Sequence, residues 1–400
     1  MKELLEGIRV LDFTNNYAGP EAASTLADYG ADVIHIEKPV YGDDCRFFSP
    51  MIDGTSTSHC GVNRNKKSVV INLKDPEIRP ALEQMISEAD VIIESYRPGV
   101  MDKLGLGYED ASRLNPKIIY CSVSIFGHSG PYAGKAGYDV IAQAYSGLMN
   151  ATGTQEGGPT KIGMIIGDGV GKMNAFASIM AALYYRQRTG EGQFIDVSLA
   201  RGLIWIGTDF NHVPIPGYSR KRTGNFDSQL CPYGIFHGSN DESIVIGAVN
   251  ANLWKKLCDA MERPELADDP RFRTNDVRVD NSKEVISIVE TWLKTFPDVR
   301  SAAARLDEFG VPNCKVYTFE DLYEDEHANA CGWIKTIPTP PSVTSAEYVA
   351  TVMGNADYSK FGVRVGRAAD LGEHNHEVLS KYGLSDEKID ELERKWAQRV

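Results

Sequence analysis

The tripeptide Gly167-Asp168-Gly169 places a carboxylate between two glycines, directly after the apolar run at 164–166. An amphipathic pattern over residues 172–188 follows and predicts a helix whose first turn carries Asp168. Free backbone N–H groups and the positive end of the helix dipole favour an ionised carboxylate there. Because glycines allow another molecule to come close, the pattern is that of an exposed nucleophile.

A plain helix N-cap has the same local signature as a nucleophile at this position. Aspartate is among the residues that most often accept a backbone N–H bond at the start of a helix. On residues 167–169 alone, the capping interpretation is favoured over the catalytic one. The choice between them therefore depends on the rest of the chain.

Basic residues recur where predicted strands end, and together they would suit a phosphate-bearing ligand. Lys38 ends one strand, a basic segment at 64–67 precedes another, Lys74 follows it, and Arg97 and Lys103 come after a fourth. Lysine and arginine bind phosphate through charge-assisted hydrogen bonds. Each residue taken singly is equally well a solvated surface charge. Their recurrence at similar positions favours the ligand interpretation for the set.

Several common site patterns are missing from the sequence. The turn at 13–20 lies where a dinucleotide-binding fold has its phosphate loop, but Gly-x-Gly-x-x-Gly, a Walker loop and a Gly-x-Ser-x-Gly elbow do not occur. A nicotinamide dehydrogenase, a P-loop enzyme and a serine hydrolase are therefore poorly supported. His374 and His376 have a spacing that directs their rings apart, with no third ligand evident, so no metal site is predicted.

The composition is that of an ordinary globular protein. A chain of 400 residues has room for two domains, each with its own core. The formal net charge of -13 argues against a nucleic-acid binder, and no apolar run reaches the roughly 18–20 residues of a membrane span. The amino-terminal residues lack the pattern of a secretion signal. The 7 cysteines include no Cys-x-x-Cys pair, so a reduced, cytoplasmic location is expected.

The elements that must position these residues alternate between strand and helix in the amino-terminal third of the chain. Strands are predicted at 8–13, 33–36, 68–73, 91–94 and 118–123, and helices at 20–29 and 76–88. Such alternation predicts an α/β fold: a Rossmann-like large domain with a mainly parallel sheet covered on both faces.

A composition change near residue 211 predicts a second, smaller domain of the α+β class. Its expected elements are a hairpin of 233–236 with 243–246 and helices at 253–261, 285–295 and 299–309. The predicted division is 1–210 for the large domain, 211–224 for a linker, 225–325 for the small α+β domain, and 326–400 for a second linker and a C-terminal return to the large domain, ending in a helix at 386–398.

Short motifs then follow one another along nearly the whole chain. They lie at 7–13, 18–20, 30–39, 65–68, 97–99, 137–139, 143–144, 146–147, 167–168, 181–183, 189–193 and 371–374. Each is weak singly, but their order and spacing resemble the class III CoA-transferases, which include formyl-CoA and carnitine CoA-transferases. This resemblance reverses the preference for a simple cap at Asp168.

The resemblance implies that Asp168 is the nucleophilic aspartate of that family. It also implies acyl-CoA and small carboxylic acids as substrates, no permanently bound cofactor, no metal, and an interlaced homodimer. The residues that match the family's CoA contacts are Tyr17, Ala18, Lys38, Ile71, Asn72, Leu73, Lys74, Ser95, Tyr96, Arg97, Lys103, Ala136, Gly137, Tyr138 and Asp139.

The chain departs from the formyl-CoA enzyme at several of these positions. Tyr17 replaces a glutamine, and the glycine-rich loop of that enzyme's small domain is absent, which argues against formyl-CoA and oxalate as the substrates. Ala136 stands where that enzyme has a lysine, with Lys135 beside it, and Lys38 stands where some members have arginine. Succinyl-CoA as donor is expected only by analogy with many relatives.

The main alternative is a CoA-ester isomerase of the related α-methylacyl-CoA racemase type. The position of the racemases' catalytic histidine is occupied by Tyr138. Racemisation needs two acid–base groups, and tyrosine, with a pKa of about 10, replaces histidine poorly. The expected reaction is therefore CoA transfer from an acyl-CoA to a carboxylic acid through an aspartyl anhydride and an aspartyl-CoA thioester. An inactive CoA-binding protein in which Asp168 only caps a helix is the second alternative.

The residues that contact the acceptor acid are expected partly in the small domain. The segments 222–225 and 231–234 are the candidates. No pattern in them identifies the acid. The substrate pair therefore stays open from the sequence.

Overall fold

The computed structural model describes residues 3–207 and 209–398. The chain folds into two compact units, the first comprising residues up to Leu148, Ile162–Phe210 and residues from Cys331 onwards, the second Met149–Lys161 and Asn211–Ala330. The second unit thus takes in 149–161, which the sequence-based division had assigned to the large domain. The domain boundaries given above stay a prediction.

The strands run in chain order through both units. They are β1 (Arg9–Phe13), β2 (Asp32–Glu37), β3 (Met51–Ile52), β4 (Thr55–Ser56), β5 (Lys67–Val70), β6 (Val91–Glu94), β7 (Ile119–Ser124), β8 (Gln193–Ser198), β9 (Tyr233–His237), β10 (Ser243–Gly247), β11 (Asn313–Lys315), β12 (Ile334–Pro338) and β13 (Tyr348–Val352).

The α-helices are numbered in the same way. They are α1 (Ala18–Asp28), α2 (Thr57–Val62), α3 (Arg79–Glu88), α4 (Val100–Lys103), α5 (Tyr108–Leu114), α6 (Asp139–Tyr145), α7 (Leu148–Ala151), α8 (Ile166–Thr189), α9 (Leu199–Trp205), α10 (Ala251–Ala260), α11 (Asn275–Asp280), α12 (Ser282–Leu293), α13 (Val299–Glu308), α14 (Phe319–Glu324), α15 (Glu326–Cys331), α16 (Asn375–Leu379) and α17 (Asp386–Ala397).

A six-stranded sheet forms the centre of the first unit, in the order β5-β2-β1-β6-β7-β8. All its neighbouring strands pair in parallel. Counted among themselves along the chain, the strands lie in the doubly wound order 3-2-1-4-5-6, with the switch point between β1 and β6. The predicted α/β fold with a parallel sheet is therefore confirmed.

Both faces of this sheet are covered, because alternate residues of each strand point to opposite sides. Val10 and Ile93 belong to a core cluster with buried residues of α1 and α8, whereas Leu11 and Ile92 belong to a cluster with residues of α3 and α17. Burying each such side chain contributes about 1.5–3 kcal/mol. The ends of β1 and β6 are thus fixed from both sides.

The second unit has its own core around a small antiparallel sheet. The predicted hairpin is confirmed as β9 and β10, and β11 adds a third strand in the order β11-β10-β9. Helices α10, α12 and α13 cover the sheet, and their apolar residues form one cluster with Phe236 and Ile244. The predicted helices in this region are confirmed with small shifts in their ends.

Several parts of the fold differ from the sequence-based expectation. β8 was not predicted because Asp196 interrupts its apolar run. The β12–β13 hairpin occupies the segment interpreted as a second linker, since the prolines at 338–341 lie in and beside a strand rather than in a free tether. The strand predicted at 68–73 ends at Val70.

Within the described residues, no helix combines the length and the apolar character needed to cross a membrane.

Candidate functional site

A cavity of about 240 Å³ opens at the switch point of the sheet. Its walls come from the turn after β1, the turn after β6, the segment between β7 and α6, and the start of α8. Open α/β sheets bind ligands at this place, outside the carboxyl ends of the strands. The predicted site residues that line it are Tyr17, Ala18, Ser95, Tyr96, Arg97, Ala136, Gly137, Tyr138 and Asp168.

A second cavity of about 760 Å³ lies at the carboxyl ends of β2 and β5. Tyr96 lines both cavities, so the two adjoin at this side chain. The predicted site residues in the second cavity are Lys38, Ile71, Asn72, Leu73, Lys74, Tyr96 and Lys103. β5 ends at Val70, three residues before the predicted end of this strand. The residues that follow, Ile71–Lys74, lie outside the strand and line the cavity.

Asp139 is the one predicted site residue that lines neither cavity. It is buried at the start of α6, where its Oδ1 accepts hydrogen bonds from the backbone N–H groups of Gly167 (2.6 Å) and Asp168 (3.3 Å). The first turn of α8 is therefore capped from another helix. A Cβ atom on Gly167 would lie 2.8 Å from the same oxygen, which explains why glycine stands there.

This arrangement shows that Asp168 is not the cap of its helix. Asp168 lies in the first turn of α8, as predicted, but the N-cap position is Ile165 and has no side-chain cap. Within the described residues, the Asp168 carboxylate accepts no hydrogen bond. On the other side, Gly169 leaves open space. The carboxylate is thus positioned by its helix in the lining of the cavity.

The sequence-based expectation was that the start of the helix favours the ionised form of Asp168, and the electrostatic surroundings act against it. Burial raises the pKa of Asp168 to about 7, and the negative charges of Asp139 and Glu21 add to the effect. Near neutral pH the carboxyl group is therefore divided between its protonated and ionised forms. A carboxylate with a raised pKa is the more basic, and hence the stronger, nucleophile once it is ionised.

The start of α1 lines the same cavity. Its N-cap residue, Tyr17, makes no side-chain cap. In the described part of the chain, the N–H groups of Ala18 and Gly19 have no acceptor. Lys172 of α8 and Glu21 of α1 form an ion pair of 2.6 Å that joins the two helices beside the cavity. The cavity therefore combines a carboxylate with a pair of free N–H donors.

The basic residues singled out in the sequence divide into two groups. Arg64 and Lys66 are buried in ion pairs with Asp28 and Asp12, and Lys67 pairs with acidic residues on the surface. The ligand interpretation is therefore wrong for the segment 64–67, which stabilises the fold. The members of the set that line a cavity are Lys38, Lys74, Arg97 and Lys103. Among these, Lys38 contacts Asp44.

The turn at 13–20, which the sequence offered as a ligand-binding turn, lines the cavity through Asn15, Asn16 and Gly19, and so does Lys135, the neighbour of Ala136. The cavity residues that were not predicted are Pro98, Val123, Ser124, Ile125, Ala133 and Leu199. Their positions depend on which strand ends meet, and no local pattern marks them. The sequence analysis also did not predict a surface group of three side chains that could hold a metal ion: His376, Asp390 and Glu393. The histidine belongs to α16 and the two carboxylates to α17, so no short motif contains all three. His374 is not part of this group and lies against the backbone of Ser68.

Comparisons with known proteins agree on one family. A family model described as "CoA-transferase family III" matches residues 5–375. Succinyl-CoA:glutarate CoA-transferase of Mus musculus is 35% identical over 395 residues, covering 96% of this chain and 87% of that protein. Acetyl-CoA:oxalate CoA-transferase of Acetobacter aceti is 40% identical over 294 residues, covering 73% and 75%. The crystal structure of a CAIB/BAIF family protein from Brucella suis superposes with a TM-score of 0.84 at 32% identity, covering 96% and 100%.

Proposed function

This chain belongs to CoA-transferase family III and is a CoA-transferase acting between acyl-CoA and carboxylic acids, and we propose that Asp168 is its nucleophile. The observation that carries the proposal is the pair of opposed features in one cavity. Among the described residues, the carboxylate at the start of α8 has no hydrogen-bond donor, and two backbone N–H groups at the start of α1 have no acceptor. The first can attack a carbonyl carbon, and the second can bind the oxyanion that forms.

The proposed reaction needs only the two substrates. An Asp168 carboxylate oxygen attacks the thioester carbonyl carbon of the donor, the C–S bond breaks, and CoA leaves as a thiolate. The thiolate then attacks the aspartyl carbonyl of the resulting mixed anhydride and releases the donor acid as its carboxylate. The product is an aspartyl-CoA thioester.

The second half of the reaction reverses these bonds with a different acid. The acceptor carboxylate attacks the aspartyl-CoA carbonyl and expels the thiolate, which then attacks the acceptor's acyl carbonyl and frees Asp168. One thioester replaces another and no net proton is transferred. The overall free-energy change is therefore expected to be small.

The second cavity is proposed to hold the nucleotide end of CoA. Lys38, Lys74 and Lys103 line it, and they supply positive charge for phosphate groups in a chain whose formal net charge is -13. Tyr96, shared by both cavities, marks the passage for the pantetheine arm. Binding of the remote nucleotide would then help to hold the thioester carbonyl at Asp168.

We propose a dicarboxylic acid as the acceptor, with succinyl-CoA as the first donor to test. The mouse relative is named for succinyl-CoA and glutarate, and the Acetobacter relative for acetyl-CoA and oxalate, so a dicarboxylic acid occurs in both names. Oxalate, against which the differences from the formyl-CoA enzyme argued, therefore stays among the acceptors to test. Arg97 and Lys135 supply positive charge in the lining of the first cavity. A panel of acyl-CoA donors and acids, with products identified by mass spectrometry, tests this choice.

Replacing Asp168 tests the nucleophile directly. We expect Asp168→Ala and the isosteric Asp168→Asn to abolish transfer while CoA binding, measured by calorimetry, persists. Incubating the wild-type protein with acyl-CoA and then with hydroxylamine should change the mass of the peptide containing Asp168, and neither variant should show that change. Undiminished turnover by Asp168→Asn would refute the covalent route.

The racemase alternative has no support at the site. Tyr138, which is 72% exposed, lines the cavity, and no histidine does so among the described residues. We expect no exchange of the α-hydrogen of a 2-methylacyl-CoA in deuterium oxide. Exchange at that carbon, dependent on Asp168, would favour isomerisation instead.

We also propose that the chain works as a homodimer. Large apolar side chains of the first unit are exposed, among them Trp205 (76%), Met173 (65%) and Tyr184 (62%). Exposed apolar side chains of this size are common at contacts between proteins. Light scattering should give twice the mass of one chain. The reduced, cytoplasmic location stays a prediction.

A further inference from the structure

The turn at 14–19, which carries the free N–H donors, rests on a buried group of charged side chains. Asp12 at the end of β1, His35 in β2, Asp43 and Lys66 are each at most 5% exposed. The mechanism proposed above uses none of them. We call these four residues the buried charge cluster.

Two carboxylates of the cluster hold the backbone of the turn. Asp12 Oδ1 accepts the N–H of Thr14 (3.0 Å), and Asp43 Oδ1 accepts the N–H of Asn16 (2.9 Å). Between these bonds, Ser95 Oγ accepts the N–H of Asn15 (2.9 Å). Three successive N–H groups are thus bound to side chains from three different segments. The next residues along the chain, Tyr17, Ala18 and Gly19, line the cavity, and within the described residues the N–H groups of Ala18 and Gly19 have no acceptor.

His35 lies between the two carboxylates. Its Nδ1 is 3.0 Å from Asp12 Oδ2 and its Nε2 is 3.5 Å from Asp43 Oδ2. Neither ring nitrogen has an aligned hydrogen bond, so the contact is mainly electrostatic. Because the strand pairing places Asp12 directly opposite His35, the imidazole cannot move away without disturbing the sheet.

The charges of the cluster balance one another. Lys66 Nζ also contacts Asp12 Oδ2, at 2.8 Å, and it donates to Asn63 Oδ1. Two carboxylates thus face one ammonium group and one imidazole. Burial would lower the pKa of His35, but the Asp12 and Asp43 carboxylates raise it to about 9, against the repulsion of Lys66. The other charged or titratable groups near the ring are Glu37, paired with Arg46, and His59 and Cys45.

One residue of the turn has a left-handed backbone. Asn16 has a φ angle of +74°, in the region that residues other than glycine rarely adopt and that asparagine tolerates better than most. A backbone in that region persists when its surroundings fix it. The hydrogen bond from Asn16 N–H to Asp43 supplies that constraint on one side, and the Thr14 bond to Asp12 supplies it on the other.

We propose that His35 is a positioning residue for CoA transfer: by bridging Asp12 and Asp43 it holds the turn at 14–19 so that the Ala18 and Gly19 N–H groups meet the developing oxyanion. His35 touches no substrate. It holds the carboxylates of Asp12 and Asp43 in place. These carboxylates accept the N–H groups of Thr14 and Asn16 and so fix the backbone that leads into α1. This inference rests on the proposed role of the turn in stabilising the oxyanion.

The role predicts a specific kinetic signature for His35→Gln, which removes the positive charge but keeps a polar side chain. An oxyanion donor acts on the transition state, so kcat should fall by about 10-fold or more while KM for acyl-CoA changes by less than about 3-fold. Amide hydrogen exchange of the peptide covering 14–21 should also become faster in this variant.

The matched control is Asp28→Asn, which disturbs an equally buried ion pair in the same unit. Asp28 binds Arg64 at the far end of α1 and makes no contact with the turn. We expect this variant to lose stability, with kcat within about twofold of wild type and unchanged exchange at 14–21. Asp43→Asn serves as a second variant if His35→Gln fails to fold, and it should show the same kcat loss.

The inference is overturned if His35→Gln keeps wild-type kcat, or if Asp28→Asn lowers kcat by the same factor at equal loss of stability. It is also overturned if KM alone rises. Failure of the proposed nucleophile is a separate result, because it would show as activity in Asp168→Asn and as absence of label on wild-type Asp168. In His35→Gln, by contrast, label on Asp168 should still form, at a reduced rate.

Discussion

At the scale of single residues, two aspartates have different positions at the start of α8. Asp139 accepts the backbone N–H groups of Gly167 and Asp168, so the Asp168 carboxylate is not needed as the cap of this helix. The same proximity makes ionisation of Asp168 less favourable, because two negative charges would lie near each other. A capping residue therefore also tunes the reactivity of its neighbour.

The rate should depend on the ionisation of Asp168. Only the carboxylate attacks, and burial with the charges of Asp139 and Glu21 raises its pKa to about 7. We therefore expect kcat/KM to rise with pH through about 7, since kcat/KM reports groups of the free enzyme. Initial rates across pH 5 to 8.5, with a no-enzyme control for thioester hydrolysis, measure this limb. A flat profile over that interval would contradict it.

Changing Asp139 should move that limb in a known direction. Asp139→Asn keeps an oxygen that can accept the Gly167 N–H bond but removes one negative charge near Asp168. The pKa of Asp168 should fall, and the midpoint of the rising limb should shift to lower pH by about 0.5 to 1 unit. A shift to higher pH would show that the charge of Asp139 does not act on Asp168.

His35 gives a second limb at alkaline pH. Its pKa is raised to about 9, chiefly by Asp12 against the effect of burial, so the bridging imidazolium form exists below about 9 and is lost above it. We expect kcat to decline as pH rises through about 9, together with the part of the stability that the charged form contributes. The decline should vanish from the profile of His35→Gln, whose lower rate no longer depends on this proton.

At the scale of secondary-structure elements, two helix starts meet at one cavity. The start of α8 is closed by Asp139 and carries the carboxylate, and the start of α1 is open and carries the donors. An open helix start with unused N–H groups favours negative charge. In the proposed reaction, α8 would therefore supply the nucleophile and α1 the donors to the oxyanion.

The two glycines around Asp168 should respond differently to alanine. In Gly167→Ala the new Cβ would lie 2.8 Å from Asp139 Oδ1, so the cap would be displaced and the free energy of unfolding should fall by about 1–3 kcal/mol. In Gly169→Ala the Cβ meets open space, and alanine in a helix should add about 0.5–1 kcal/mol. Urea unfolding of both variants measures the difference, and equal destabilisation would contradict it.

The order of strands and helices was readable from the sequence because buried parallel strands and amphipathic helices have strong periodic patterns. The first turn of α8 was predicted for the same reason. The contacts between residues that are far apart in the chain could not be predicted from the sequence. The cap from Asp139, the pairing of Lys66 with Asp12, and the meeting of Ser95 with Asn15 each join residues that are far apart in the chain. No local sequence pattern indicates such contacts. For this reason the basic segment 64–67 was interpreted as binding a ligand, whereas Arg64 and Lys66 form buried ion pairs.

At the scale of the whole molecule, the site is a pair of adjoining cavities in an acidic protein. The formal net charge of -13 would repel a polyanionic substrate, whereas Lys74 and Lys103 concentrate positive charge at one end of the site. Local charge of this kind attracts anions against the net charge of the chain. Substrate binding should therefore depend on ionic strength.

Removing one of these lysines should affect binding and leave the chemical step unchanged. We expect Lys103→Ala to raise KM for acyl-CoA about 3- to 10-fold with kcat nearly constant, and to weaken the salt dependence of KM. The control is Lys117→Ala, an exposed lysine that lines neither cavity. A loss of kcat in Lys103→Ala at constant KM would contradict a role in nucleotide binding.

Asp44 connects the two ends of the site. Its carboxylate contacts Lys38, which lines the second cavity, and it also accepts from Asn15 Nδ2 (2.6 Å), while its backbone N–H donates to Asn15 Oδ1 (2.7 Å) at the wall of the first. A phosphate that binds Lys38 would compete with Asp44 for that lysine. Because Asp44 also holds Asn15, this change would reach the wall of the first cavity. Short-chain mimics such as acyl-N-acetylcysteamine thioesters should then turn over slowly even at saturation. In a cell, this would protect Asp168 from being acylated by the many thioesters that lack a nucleotide tail.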